Sequence, residues 1–297
     1  NLYEANKSLT KLESIKSAVD KLGSLTETSD IARLQYFYLR SKANYYKKIG
    51  DFTTTKQTSE EFLNLIKNNN VLKSSDSMGG GHLMVSDACL HLKEYDNAIL
   101  YASIGLDYFY KNTPNHINMV ELIFQGNFYK KSYENAMESV KIIKGLSIVK
   151  PGTFQYDKWL YFSANVEFMQ GDYKSVLKTL KRHSFIKTDK SGWRLGFRIL
   201  ELMALVELEQ YDNLPYRLDT FRKMLSSITE ADVTRPRAVW VLMNRLVKES
   251  FDFKAVDKKQ KEEIGLLRAG EGNYFWDPRG YEIIRFDEWW AGKVKKK

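Results

Sequence analysis

Cysteine is almost missing from this chain. Cys89 stands alone, which excludes an intramolecular disulfide and points toward a reducing, cytoplasmic compartment. Proline (5) and glycine (17) are scarce among 297 residues, so the chain has few of the turn signals that a many-stranded sheet requires. Long apolar runs are missing as well. None approaches the ~18 residues of a membrane-crossing helix, and no signal-peptide pattern is present. The chain begins at Asn1 rather than Met, which leaves room for a segment upstream. Histidine is limited to His82, His91, His116 and His183. Asp87 and His91 are one helical turn apart, but a metal site needs a third converging ligand, and His82 lies off that face. No metal and no other cofactor is expected.

What is present is ordinary globular composition, 43% hydrophobic and 28% charged. Net charge is +9, but Lys293, Lys295, Lys296 and Lys297 supply four of those charges and leave the body at +5. Such a surface favours acidic partners. It lacks the basic stripe with interleaved aromatics of a nucleic-acid binder, so no nucleic-acid partner is expected.

One phrase recurs along the chain: a helical run, a short polar break, an aromatic residue, then a second helical run. It reads Lys48-Ile49-Gly50-Asp51-Phe52, Leu92-Lys93-Glu94-Tyr95, Lys130-Lys131-Ser132-Tyr133, Gln170-Gly171-Asp172-Tyr173 and Leu208-Glu209-Gln210-Tyr211. The aromatics fall at 52, 95, 133, 173 and 211, spaced by 43, 38, 40 and 38 residues. Gly50 and Gly171 suit the left-handed conformation of a tight helix stop, and Asp51, Asp172 or Ser132 suits the cap of the next helix. Small residues at helical spacing, Ala98, Ala102 and Gly105, let two helices approach closely.

The pattern predicts helix pairs at 30–49 with 51–68, 81–92 with 95–109, 115–131 with 133–147, 153–170 with 173–184, and 193–209 with 211–227. A less regular pair falls at 235–250 and 255–269. A lead helix covers 2–22, with Leu9, Leu12, Ile15, Val19 and Leu22 on one face. Polar links join the pairs, Lys187-Thr188-Asp189-Lys190 among them. The stretch Ser74 to Gly81 reads as the longest, flexible loop.

These residues resemble the tetratricopeptide repeat family. Leu83 to Leu106 is the best match, with Lys93-Glu94-Tyr95-Asp96-Asn97-Ala98 followed by Ala102, and the resemblance covers about 30–227. It implies an all-α, right-handed superhelix of about six hairpins, whose first helices line a concave groove for peptide or protein ligands. There are departures. The family repeat is about 34 residues, and these are longer. Tyr46 stands at the family's large first-helix aromatic, but Asn127 and Glu167 stand at the matching places. Thr55 replaces a small alanine.

In the resembled family the position eight residues before each corner aromatic faces the groove. Here that position holds Asn44, Asp87, Gln125, Asn165 and Met203. Amides donate and accept together, so a row of them suits a peptide backbone. Arg40, Lys47, His91, Tyr129 and Tyr161 are neighbouring candidates, and Arg40 or Lys47 suits a carboxylate. Cys89 reads as a small core residue, because no His-Asp arrangement accompanies it. Gly79-Gly80-Gly81 lacks the Lys-Ser/Thr and the preceding strand of a phosphate loop.

The chain divides into a helical-repeat domain, 1–272, and an aromatic C-terminal segment, 273–297, holding three of six tryptophans. Asp277-Pro278 suits the start of a last helix. A solenoid needs a cap over its last apolar face, and this segment is expected to supply it. The alternative is an interface patch at Trp276, Arg279, Trp289 and Trp290. No catalytic constellation stands out. The expected role is a non-enzymatic interaction module for a protein or peptide partner. The alternatives are the sensor half of a larger regulator and an enzyme on a helical scaffold.

Overall fold

The computed structural model describes residues 2–182, 192–228 and 233–295. His183, the link 187–190, the last two lysines and the side chain of Leu9 lie outside what is described. The chain forms two compact units, 1–148 and 149–297. Among the described residues both are all-α, and helices adjacent in sequence pack against each other.

The first unit holds α1 (Leu2–Glu27), α2 (Ala32–Lys48), α3 (Phe52–Lys67), α4 (Ser75–His91), α5 (Tyr95–Leu106), α6 (Pro114–Tyr129) and α7 (Tyr133–Lys144). The second holds α8 (Phe154–Met169), α9 (Tyr173–Leu180), α10 (Trp193–Glu207), α11 (Leu214–Ser226), α12 (Thr234–Lys248), α13 (Phe253–Lys259), α14 (Lys261–Ala269) and α15 (Phe286–Lys295). Short 3-10 turns sit at Tyr211–Asn213 and Gly272–Tyr274. The final pair departs from the sequence reading, because a break at Gln260 divides its second helix into α13 and α14.

The corners explain the repeated phrase. Two residues before each corner aromatic the backbone turns left-handed: Gly50 (φ 80°), Lys93 (62°), Lys131 (66°), Gly171 (81°) and Glu209 (55°). The next N–H then reaches back five residues, as Asp51 to the Tyr46 carbonyl (3.0 Å) and Glu94 to that of Cys89 (2.9 Å). Ser132, Asp172 and Gln210 repeat the bond, which satisfies carbonyls that a helix end leaves open. The same bond recurs after Ser250 (φ 51°), where Phe251 N reaches the Leu246 carbonyl at 2.8 Å, in the break between the helices of the last, less regular pair. Asp51 and Asp172 cap their helices through Thr54 N and Ser175 N. Ser132 makes no side-chain cap hydrogen bond.

Ser74 to Gly81 is not a loop. Ser74 and Ser77 form a reciprocal capping box, and α4 starts at Ser75. Gly79 and Gly81 are there for space. A methyl group on Gly79 would overlap the Phe109 ring, and one on Gly81 would come 2.9 Å from Leu63. Gly105 likewise lets α5 approach Met119 and His82.

The core of the first unit runs through Phe62, Ile66, Val85, Leu90, Met119 and Leu122. Burying each such side chain is worth about 1.5–3 kcal/mol. Cys89 belongs to this core, and burial pushes its thiol up to about 12, so it is not poised as a thiolate. The second unit centres on Trp159, Phe162, Phe221, Leu242, Phe286 and Trp290.

Candidate functional site

The first helix of each pair was expected to present the polar row, and the structure separates its members. Asn44 and Arg40 are exposed on α2. Asp87, Gln125 and Asn165 are buried, at 2%, 0% and 1% exposure, and Met203 is buried with them. The reason lies in how far each helix is surrounded. α2 buries only Ala43, whereas α6 and α8 each bury eleven of sixteen residues. Eight residues before the corner therefore means open surface on α2 and packed interior on α4, α6, α8 and α10.

Around the first corner the structure gathers several predicted residues. Lys47 crosses from α2 to α4 and pairs with Asp87 at 2.6 Å. The Asp87 carbonyl meets His91 Nδ1 at 2.8 Å, and the His91 ring stacks on Phe52 with centroids 4.0 Å apart. The pair anchors Lys47, whose side chain stays 42% exposed, so its remaining N–H groups stay within reach of solvent. On α2 the exposed residues Arg33, Phe37, Arg40, Asn44, Lys47 and Lys48 follow helical spacing and share one face. That face is basic with one aromatic.

Gln125 and Tyr129 do not join that cluster. Neither Gln125 Oε1 nor Nε2 has a hydrogen-bond partner among the described residues. Tyr129 packs half-buried on Tyr95, 5.8 Å between ring centroids. Asn165 Nδ2 donates to the Tyr161 carbonyl one turn back, at 2.8 Å.

The second unit holds a different arrangement. From Phe275 to Arg285 the chain leaves regular secondary structure and crosses three first helices, α8, α10 and α12. Tyr161 on α8 donates its hydroxyl to the Tyr281 carbonyl at 2.6 Å. Burial raises the Tyr161 phenol well above its ordinary range, so it stays a donor. On α10, Gly196 leaves room for the Tyr281 backbone, and a methyl there would overlap the Tyr281 carbonyl. On α12, Arg235 donates Nη1 to the carbonyls of Leu267 (2.9 Å) and Tyr274 (3.2 Å). Its other nitrogens reach Glu282 and Asp287.

The aromatic residues named as an interface patch are used within this unit. Trp276 Nε1 donates to the Glu282 carbonyl at 2.7 Å. Trp289 Nε1 donates to Glu207 on α10 at 2.7 Å, and Trp290, fully buried, reaches Asp257 at 3.3 Å. Arg279 is half-buried in the turn. Asp277-Pro278 opens no helix. The Asp277 side chain accepts from Arg279 N at 2.8 Å and closes a turn instead, and α15 begins only at Phe286.

Sequence reasoning missed Arg235, Glu282 and Gly196. Arginine and glutamate within helical or polar stretches give no local sign of a pairing this distant in sequence. Among the described residues no His, Cys, Asp and Glu cluster has metal-holding geometry. No helix described is long and apolar enough to cross a membrane. No family model matches the chain, and no curated protein matches it.

Proposed function

We propose that this chain is a non-enzymatic interaction module of tetratricopeptide type, with about six hairpins in all, those of each unit wound right-handed. Its first-helix face holds extended peptide. The observation that supports this reading is the chain's own segment 275–285 lying across α8, α10 and α12. The contacts onto the Tyr274 and Tyr281 carbonyls read backbone rather than side chain. Backbone recognition of this kind accepts many sequences with little selectivity of its own.

In the first unit the exposed stretch of the same kind of face is the basic stripe of α2. Arg40 and Asn44 point outward with Lys47 beside them. Arg40 forks onto a carboxylate, Asn44 brackets a peptide group, and Phe37 offers an apolar contact. The partner is therefore an acidic peptide segment of another protein.

The test is selection of peptides from a displayed random library on the intact chain. Acidic peptides should be enriched, and Arg40→Glu with Asn44→Ala should weaken them at least ~10-fold, the loss of about 1.4 kcal/mol expected of one charge-assisted contact. Equal binding by wild type and the double variant, or no enrichment of acidic peptides, would overturn the reading.

A further inference from the structure

α10 presents two opposite faces. Gly192, Gly196 and Glu207 meet the C-terminal segment. Arg198, Glu201 and Leu205 lie on the other side of the helix, since each residue advances ~100° around the axis. There they line a cavity of about 320 Å³ between α9, α10 and α11. That volume is within the range of small-molecule sites.

The cavity has two chemically distinct parts. Leu177 and Leu180 from α9, with Phe197 and Leu205 from α10, give it an apolar wall. Among the described residues that line it, Lys181, Arg198 and Arg217 bring three positive charges, against the single carboxylate of Glu201. Glu201 is already engaged: Arg198 Nη1 lies 2.6 Å from one oxygen and Arg217 Nε 3.4 Å from the other. Two positive charges remain in excess. Arg198 Nε is also buried with no acceptor among the described residues. A buried donor left without an acceptor is destabilising, and more so when its group is charged. An anion entering here gains an acceptor position and two uncompensated charges beside an apolar wall.

We infer that this cavity is a binding site for a small organic anion with an apolar body, a carboxylate on a hydrocarbon or aromatic frame. The carboxylate sits at Arg198 and Arg217, where the guanidinium fork matches its geometry, and the apolar body lies along the leucines and Phe197. The site is on the side of α10 away from the C-terminal segment, and it does not depend on peptide binding in the first unit.

Calorimetric titration of the intact chain with octanoate, octanol and acetate separates the contributions. Octanoate should bind saturably at one site, at least ~10-fold tighter than octanol, which lacks the charge, and than acetate, which lacks the body. Arg217→Gln, at the cavity mouth, should weaken octanoate ~10-fold with an unchanged circular dichroism spectrum. Leu205→Trp, which fills the cavity, should abolish binding. If Leu205→Trp fails to fold, Arg198→Gln serves in its place and should weaken binding at least as much as Arg217→Gln. Octanol binding as tightly as octanoate, or Arg217→Gln leaving octanoate affinity unchanged, would overturn the assignment.

Discussion

Arg235 and Glu282, 47 residues apart, meet as a two-pronged pair: Nε to Oε2 at 2.7 Å and Nη2 to Oε1 at 2.8 Å. Their side chains are 4% and 5% exposed, and Asp287 at 4% adds a third charge 2.6 Å from Nη2. Burial disfavours the guanidinium charge, but the hydrogen bonds and charges of the two carboxylates outweigh it and hold the arginine above its ordinary pKa. Glu282 Oε1 also accepts from Phe286 N at 2.8 Å, which ties the pair to the start of α15.

Removing one partner from such a group leaves an uncompensated buried charge. Arg235→Met should therefore destabilise the second unit by about 3–5 kcal/mol. Glu282→Gln should act in the same direction and less strongly, since the amide still accepts a hydrogen bond. Urea unfolding followed by tryptophan fluorescence reads both, because Trp276, Trp289 and Trp290 lie in the affected segment. A loss under 1 kcal/mol for Arg235→Met would mean that the segment is held chiefly by its apolar contacts.

The seating of Tyr281 makes a second prediction. Tyr161→Phe removes one buried hydrogen bond and should cost about 0.5–1.5 kcal/mol. Gly196→Ala should cost more, about 1–3 kcal/mol, because the added methyl displaces backbone rather than a movable side chain. Limited trypsin digestion should then cut sooner at Arg279 and Arg285 in Gly196→Ala than in wild type. Unchanged cleavage would place the segment elsewhere.

How much of this was readable beforehand divides along the range of the interactions. The corners were legible because each is a local event: a left-handed residue, a capping group and an aromatic within four positions. The break between 250 and 255 was legible as a helix boundary, but its left-handed residues, Ser250 and Phe251, include no glycine to announce the form of the turn. The C-terminal segment was legible as aromatic and in need of burial. Its path was not, since Arg235 must find carboxylates 47 and 52 residues away. The polar row misled for a related reason. Asn44, Gln125 and Asn165 are alike in local sequence position, and only the number of neighbouring helices makes one exposed and the others buried.

The glycine run in α4 puts that lesson to a direct test. Gly79, Gly80 and Gly81 are adjacent, yet only Gly80 faces open space. Gly80→Ala should stabilise the chain by about 0.5–1 kcal/mol, because alanine loses less backbone freedom on entering a helix. Gly79→Ala should destabilise it by about 1–3 kcal/mol through overlap with Phe109. Thermal melts of the two variants should move in opposite directions. A flexible loop at this place would give two small shifts of the same sign.

His82 supplies the pH dependence. It is 2% exposed, its ring stacks on Tyr108 with centroids 5.7 Å apart, and its Nδ1 has no partner among the described residues. Burial, helped by the charge of Lys67, lowers its pKa to about 4 from an ordinary 6.5. The folded chain therefore keeps this ring neutral where the unfolded chain protonates it. Between pH 6.5 and 4 the unfolded state binds more protons, so stability falls as the pH falls through that window. The loss should approach about 3 kcal/mol at the acid end. His116, lowered in the same direction by burial and Lys111, adds to it. Across urea midpoints measured at pH 7.5, 6, 5 and 4.5, wild type should fall relative to His82→Leu as the pH drops, because the variant lacks the titrating ring. Parallel midpoints across the series would show that His82 is protonated in the fold without cost, and that the acid sensitivity belongs to other groups.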